Sequence, residues 1–495
     1  MKAYIRIHNQ DNVAVALQDL AKDTVIDIDG NEIILKEDMK TGHKFATEDI
    51  AHDDYVIKYG YPIGHAIQDI KSGQWVHTHN VKTNLSGIQD YGFYQDLQKL
   101  HIENRNMTFQ GYRREDGKAG IRNELWIVPT VGCVNGIGEM IMKKFKEEVQ
   151  PEGIDAMEVF KHNYGCSQLG QDHENTRTIL GNMVKHPNCG GVLVLGLGCE
   201  NNYVSAFKES LGEYNEKRVR FLVAQDVNDE ISEGVNALKE LHEIMQKDKR
   251  EAIPISELVI GLKCGGSDGF SGITANPLLG AFSDFLTAQG GSTILTEVPE
   301  MFGAETILMN RCINEEVFNK TVHLINDFKE YFTSYDQPIY ENPSPGNKEG
   351  GITTLEDKSL GCTQKGGNAP VVDVLKYGEI VQNKGLNLLN APGNDLVAAT
   401  ALAASGCHMV LFTTGRGTPF GSFVPTMKIS TNTRLYKLKP HWIDFDAGDL
   451  IKDVSMEEML ERFTEYILRV AGGEFVNNEK NNFREIAIFK TGVTL

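Results

Sequence analysis

The chain has 495 residues, of which 41% are hydrophobic and 24% charged, and its formal net charge is −19. That make-up describes an ordinary globular protein of roughly three domains, and the acidity argues against nucleic acid or an anionic membrane surface as a partner. No stretch approaches the run of about 18 apolar residues that a membrane span needs. The N-terminus alternates like a strand and lacks the apolar core of a signal peptide, so the eight cysteines are expected as reduced thiols in a cytoplasmic protein.

Residues 1–90 read as a small β-rich module, with short strands at 3–7, 13–16, 24–28, 32–35, 55–59 and 74–77. Asp29-Gly30-Asn31 is a hairpin signal, and helical stretches are expected only near 47–50 and 66–70. Residues 91–108 show no clear period and read as a linker. From 109 to 250 strands alternate with helices, and the helical patterns fall at 140–149, 174–185, 206–211 and 229–245. That alternation predicts a mainly parallel sheet flanked by helices. A charged, Pro-terminated break at 247–254 leads into a second α/β block over 255–495.

Three cysteines recur at an even interval, each after an apolar run and beside glycine: Cys133, Cys166 and Cys199. Apolar runs of this kind are buried parallel strands, and the carboxyl ends of such strands are where ligands sit in open α/β sheets. Three thiols there can converge on a metal or a cluster, since soft thiolates suit iron and zinc. The competing reading is three small buried hydrophobes. His77 and His79 follow the strand 74–77, and alternate positions on an extended strand share a face. Both imidazoles are therefore candidate ligands for a divalent metal.

Glycine-rich loops supply the remaining candidates. Gly265-Gly266-Ser267-Asp268 follows Cys264 after an apolar run, and its backbone N–H groups can form a nest for an anionic oxygen. Neither a Walker loop nor a dinucleotide fingerprint is present. Arg122 and Arg416 are candidate forks for a carboxylate, with Asn123 beside the first. Lys348 and Lys358 are candidate cations or bases. Together these loops suit a small polar acid.

The set resembles the altronate/galactarate dehydratase family of sugar-acid dehydratases. The resemblance covers nearly the whole chain. It rests on Gly-His-Lys-Phe-Ala at 42–46, Val-His-Thr-His-Asn at 76–80, Ile-Arg-Asn-Glu-Leu at 121–125, Tyr-Gly-Cys-Ser-Gln-Leu-Gly at 164–170 and Gly-Leu-Gly-Cys-Glu-Asn-Asn at 196–202. It continues in Cys-Gly-Gly-Ser-Asp-Gly at 264–269, Asn-Pro-Ser-Pro-Gly-Asn-Lys at 342–348 and Thr-Gly-Arg-Gly-Thr-Pro at 414–419. His-Thr-His-Asn and the Cys-Thr-Gln-Lys at 362–365 resemble the altronate branch. The resemblance implies an N-terminal SAF-type β module, two further α/β domains, and a need for Fe2+ or Mn2+, with an iron–sulfur cluster left open. It implies loss of water from D-altronate to give 2-dehydro-3-deoxy-D-gluconate in hexuronate catabolism. Galactarate as substrate, or a non-catalytic sugar-acid or iron sensor, is the alternative. The expected partner is a small sugar acid; homodimer formation is left open.

Overall fold

The computed structural model describes residues 2–452 and 454–495. The N-terminal module is all β. Strands Tyr4–Ile5, Val13–Ala16, Lys44–Ala46 and Trp75–Val76 form one antiparallel sheet, and Tyr55–Lys58, Tyr61–Ala66 and Val81–Lys82 form another. The hairpin Val25–Ile28/Asn31–Ile34 turns on Asp29 and Gly30, both at positive φ (53° and 85°), the backbone that a two-residue hairpin turn requires. The stretches 47–50 and 66–70, expected as helices, are not helical: Ala66 ends the strand Tyr61–Ala66, and both stretches bend to meet in the Ile50–Ile70 bridge. A few residues are too short to repay helix nucleation when strand partners are at hand.

Residues 83–107 carry no regular structure, yet they are not loose. Leu85, Tyr91, Phe93, Leu100, Ile102 and Met107 pack on the core of the C-terminal block. The charged stretch expected as a break contains the strand Arg250–Pro254, which pairs with Thr108–Arg113 and closes a small antiparallel sheet.

The middle block is a four-stranded parallel sheet in the order Ala156–Val159, Glu124–Pro129, Cys189–Gly196, Val219–Val223. The last strand was missed, because its Val-Arg-Phe-Leu-Val pattern is only partly apolar. The C-terminal block is a seven-stranded parallel sheet: Val371–Leu375, Gly385–Leu389, Ser292–Leu295, Val259–Cys264, Met409–Thr414, Thr426–Ser430, Phe445–Asp446. The two blocks share a core in which Trp126, Phe160 and Val194 meet Leu402, Val410 and Phe423. Among the described residues no helix is long and apolar enough to cross a membrane.

The seven-stranded sheet positions the site. Its central strand, Val259–Cys264, has the next strand in sequence, Ser292–Leu295, on one side and the later Met409–Thr414 on the other. The chain direction of winding reverses there, and the crevice outside such a carboxyl end is where ligands bind. Cys264 and the glycine loop occupy that point.

Candidate active site

Buried charge marks the carboxyl end of the central strand. Lys263 lies inside the strand, is fully buried, and bonds Glu297 and Asp395, the latter at 2.9 Å. Glu297 follows the neighbouring strand in the left-handed region (φ 71°), which turns its carboxylate back over Cys264; its Oε2 accepts the Cys264 N–H at 2.9 Å. Lys365 Nζ stands 2.8 Å from Cys264 Sγ and 3.1 Å from Glu297. Glu300 accepts from Lys358 at 2.8 Å, and its Oε2 lies 3.1 Å from Cys264 Sγ and 3.2 Å from Cys362 Sγ. The two sulfurs are 3.3 Å apart.

Three lysines thus face three carboxylates and two thiols, all of them buried except the half-buried Asp395. Burial alone would strip the lysines of their protons, but Cys264 and Glu297 outweigh it at Lys365, Asp395 and Glu297 at Lys263, and Glu300 at Lys358, so all three are held above the ordinary lysine range. Glu300 is held well below the carboxylate range against its burial by Lys358, Lys365 and Lys263. The hydrogen bond to Cys264, with burial next, pushes the Cys362 thiol up. Lys358 is therefore a fixed cation and not a base near neutral pH.

The same atoms pass the test for a metal. Cys264, Glu300 and Cys362 offer ligand atoms that all lie within 4.8 Å of one another. With the thiols protonated, the three lysines and three carboxylates balance; two thiolates would balance a divalent ion. Metal binding normally releases ligand protons in this way. The soft sulfurs suit Fe2+ better than Mn2+.

The glycine loop that follows Cys264 also borders a groove of about 420 Å3, lined by Asp268, Arg416, Asn432 and Arg434 and by none of the cluster residues. Gly266 takes positive φ (63°) and its carbonyl accepts from the N–H groups of Gly415 and Arg416, which ties the two glycine loops together. Asp268, pushed up by burial, accepts from the Phe270 N–H, Ser271, Thr431 and Asn432. The Arg416 guanidinium is half-exposed and pairs with the exposed Glu349 at 3.0 Å. The hydroxyls of Ser267 and Ser359 are buried without a hydrogen-bond partner, an uncommon state that a bound polar ligand would relieve.

The β module is docked against this loop. A Cβ on Gly269 or Gly351 would fall 2.0 or 2.2 Å from the Gly42 carbonyl, so three glycines permit the contact. Lys44, next but one, is wholly buried and bonds Asp357 at 2.8 Å, which also takes Lys58 at 2.9 Å. Asp357 precedes Lys358 on the helix Leu355–Thr363. The module therefore holds the segment that carries Lys358 of the buried cluster.

The histidines serve that docking. The strand ends at Val76, and residues 77–80 form a turn closed by Asn80, so His77 and His79 do not share a strand face. His77 Nε2 bonds the Lys348 carbonyl at 2.9 Å and its Nδ1 faces Thr78 at 3.1 Å, while His79 is exposed. His43 likewise bonds the Glu349 carbonyl and accepts from Trp75. With both ring nitrogens of His77 engaged, this pair does not make a metal site as it stands. Lys348 contributes its carbonyl here.

Arg122 and Asn123 sit at the opposite, amino end of their strand. All five N–H donors of Arg122 are spent, on Glu479 and on the carbonyls of Ile121, Val470 and Glu474. Asn123 bonds Arg114, Gly153 and Met245. Neither is free to grip a substrate. Cys133, Cys166 and Cys199 lie exposed at the carboxyl ends of three adjacent strands of the middle block, apart from the Cys264 group. Lys263, Glu297, Glu300 and Lys365 were missed. A lysine within an apolar strand and two glutamates after the next were the available signal.

Comparison with known proteins agrees with this architecture. Family models match residues 2–84 (Altronate/galactarate dehydratase SAF domain), 111–246 (D-galactarate dehydratase/Altronate hydrolase, second domain) and 255–494 (D-galactarate/Altronate dehydratase, C-terminal). The altronate dehydratase of Bacillus subtilis (strain 168) is 63% identical over 100% of both chains. That of Escherichia coli (strain K12) is 59% identical over 99% of this chain and 100% of its own. The galactarate dehydratase (L-threo-forming) of Escherichia coli (strain K12) is 33% identical over 95% of this chain and 93% of its own. Matched from end to end at such identity, the chain belongs to the altronate/galactarate dehydratase family.

Proposed function

We propose that this chain is a cytoplasmic hydro-lyase that converts D-altronate to 2-dehydro-3-deoxy-D-gluconate in hexuronate catabolism. The observation that carries the substrate is the contrast in identity: 63% and 59% to proteins named for altronate against 33% to one named for galactarate. The buried cluster supports the reaction class. Taking the C2 proton of a sugar acid puts negative charge on the carboxylate oxygens, and preorganised cations in a water-poor site stabilise such charge best. Lys263, Lys358 and Lys365 are cations of that kind. Arg416 and Arg434 in the groove hold the substrate carboxylate, and Asp268 is the carboxylate among the groove residues. Because burial holds Asp268 above the usual range, we assign it as the base that takes the C2 proton. Fe2+ held by Cys264, Glu300 and Cys362 would supply Lewis acidity toward a substrate oxygen. Lys365, held as a cation by Cys264 and Glu297, would stabilise negative charge as the C3 hydroxyl departs, and the proton taken by Asp268 would leave with it as water.

The test is direct. The protein is prepared without air, loaded with Fe2+, incubated with D-altronate or galactarate, and assayed for a 2-keto acid. Turnover of altronate well above galactarate is expected. No turnover of altronate under reducing conditions refutes the assignment.

A further inference from the structure

Outside the active site, the middle block carries a second constellation of soft ligands. Cys133, Cys166 and Cys199 are exposed, whereas the other five cysteines are buried. They follow three adjacent parallel strands, Glu124–Pro129 in the centre with Ala156–Val159 and Cys189–Gly196 beside it. Their loops are bolted to one another. Gly132 N–H donates to the Tyr164 carbonyl at 3.0 Å, and Asn202 N–H to the Gly165 carbonyl at 3.0 Å. Ser167 N–H donates to Asn201 at 2.8 Å, and the Asn135 side chain to the His162 carbonyl at 2.8 Å. The approach is close enough to demand glycine. Gly165 has φ +96° and a Cβ there would lie 2.0 Å from the Thr130 carbonyl; one on Gly132 would lie 2.6 Å from that of His162.

Two features show unspent polar capacity at this frame. Asn202 is fully buried between the first and second loops, donating its amide to the Thr130 carbonyl, but its Oδ1 has no partner. The helices Asn135–Glu148 and Gly170–Val184, which begin just after Cys133 and Cys166, have no side-chain N-cap. Asp229, Asn314, Asn394 and Ser455 cap the helices that they precede, whereas Ala275–Ala288 also starts without a side-chain cap. Uncapped helix starts present N–H groups and a positive dipole end, which favour an anionic occupant. Three exposed thiols without a ligand are otherwise only an oxidation liability.

The donor set and the tied loops point to the occupant, and the spacing excludes one ion shared by all three sulfurs. Two sulfurs bonded to one ion at about 2.3 Å can stand no more than about 4.6 Å apart. The three loop sulfurs do not form a group within 4.8 Å, unlike Cys264, Glu300 and Cys362. Thiolates that each hold a different iron of one cluster stand farther apart. We propose that Cys133, Cys166 and Cys199 hold an iron–sulfur cluster with three protein thiolates and one iron free of cysteine. It is a site separate from the Cys264 group, and it does not depend on the identity of the sugar acid.

The test uses the full chain, reconstituted without air from iron salt, sulfide and a thiol reductant, then desalted. Iron, acid-labile sulfide and the visible sulfur-to-iron absorption are measured. The wild type is expected to hold about four sulfides per chain, the content of a four-iron cluster. The C133S/C166S/C199S variant should lose all sulfide and the visible band while keeping its far-UV circular dichroism. The C264S/C362S variant should keep both. Should the triple variant not fold, each single serine variant is scored by the same readout and is expected to lose most of the sulfide. Iron bound without sulfide, sulfide retained after removal of the three thiols, or sulfide lost with Cys264 and Cys362 instead would each overturn the proposal.

Discussion

Asp357 offers the sharpest test of how the β module is held at the site. Its carboxylate is the shared counter-charge of Lys44 and Lys58, at 2.8 and 2.9 Å, and the three side chains are 0–2% exposed. In Asp357→Asn both ammonium groups stay buried without an opposite charge. Breaking one buried pair costs about 3–5 kcal/mol, so a loss of at least that size is expected because one carboxylate serves two cations. The pH dependence has a definite sign. Burial brings Lys44 down to about 8 from 10.5, so between those values the unfolded chain binds the extra proton and stability rises with pH. Without Asp357 both lysines shed protons more readily when folded. The variant should therefore gain more than the wild type between pH 7 and 10, and the gap between them should narrow. Urea midpoints across that range, with limited proteolysis to detect release of residues 1–90, provide the measurement. Lys44→Met, Lys58→Met and Asp357→Leu together should recover most of the loss, since apolar replacement of a buried ion set is often neutral. A single Asp357→Asn within about 1 kcal/mol of wild type at pH 7 would refute the reasoning.

Lys365→Met should lower stability, because it takes one of the two buried cations from Glu297, and should lower the kcat of the folded protein by about 10²–10³, the usual effect of removing one preorganised charge from a reacting centre; urea midpoints and steady-state kinetics on altronate check it. Arg416→Lys should raise KM about tenfold with a smaller change in kcat, since a point charge replaces a planar fork, and unchanged kcat/KM would remove Arg416 from the carboxylate site. His77, brought down to about 4 chiefly by burial, binds its proton more readily in the unfolded chain, so its contribution is complete above about pH 6.5 and lost as pH falls toward 4. A His77→Gln variant should show a flatter acid limb in its unfolding midpoint over that window.

Much of the architecture is legible in the sequence because parallel strands buried on both faces must be apolar runs. The strands ending near Cys133, Cys199 and Cys264 announce themselves so; the strand before Cys166, Ala156–Val159, is a half-buried edge strand carrying Glu158 and is legible mainly through its place in the alternation. Charge partners are a different matter. Arg122 was read as a free fork, but its carboxylate, Glu479, stands 357 positions away in sequence, and nothing local reveals such a pairing. Position along the strand was the available warning, since Arg122 precedes its strand and ligands collect beyond the carboxyl end. The histidines went astray by two residues: extended geometry was carried past Val76 into a turn. Their module was nonetheless the right neighbourhood, because Gly42, His43, Lys44 and His77 all press on the segment 342–365.

The cluster around Cys264 is hard to explain as a device for stability. Each buried charge forfeits its hydration, and even well-made buried pairs seldom outperform apolar side chains of the same volume. Three lysines, three carboxylates and two thiols at one strand end therefore weaken the case for a merely structural role as their number grows. Their placement points the same way. They lie at the one carboxyl end where the winding of the seven-stranded sheet reverses, under a glycine loop whose Ser267 hydroxyl is buried and unpaired. Strongly shifted titration in a crevice of that kind is what proton transfer next to a carboxylate requires. A variant that replaces Lys263 and Glu297 by methionine and leucine separates the two roles. Stability equal to or above wild type together with lost turnover would show that the charges are held for chemistry; loss of both would return them to the fold.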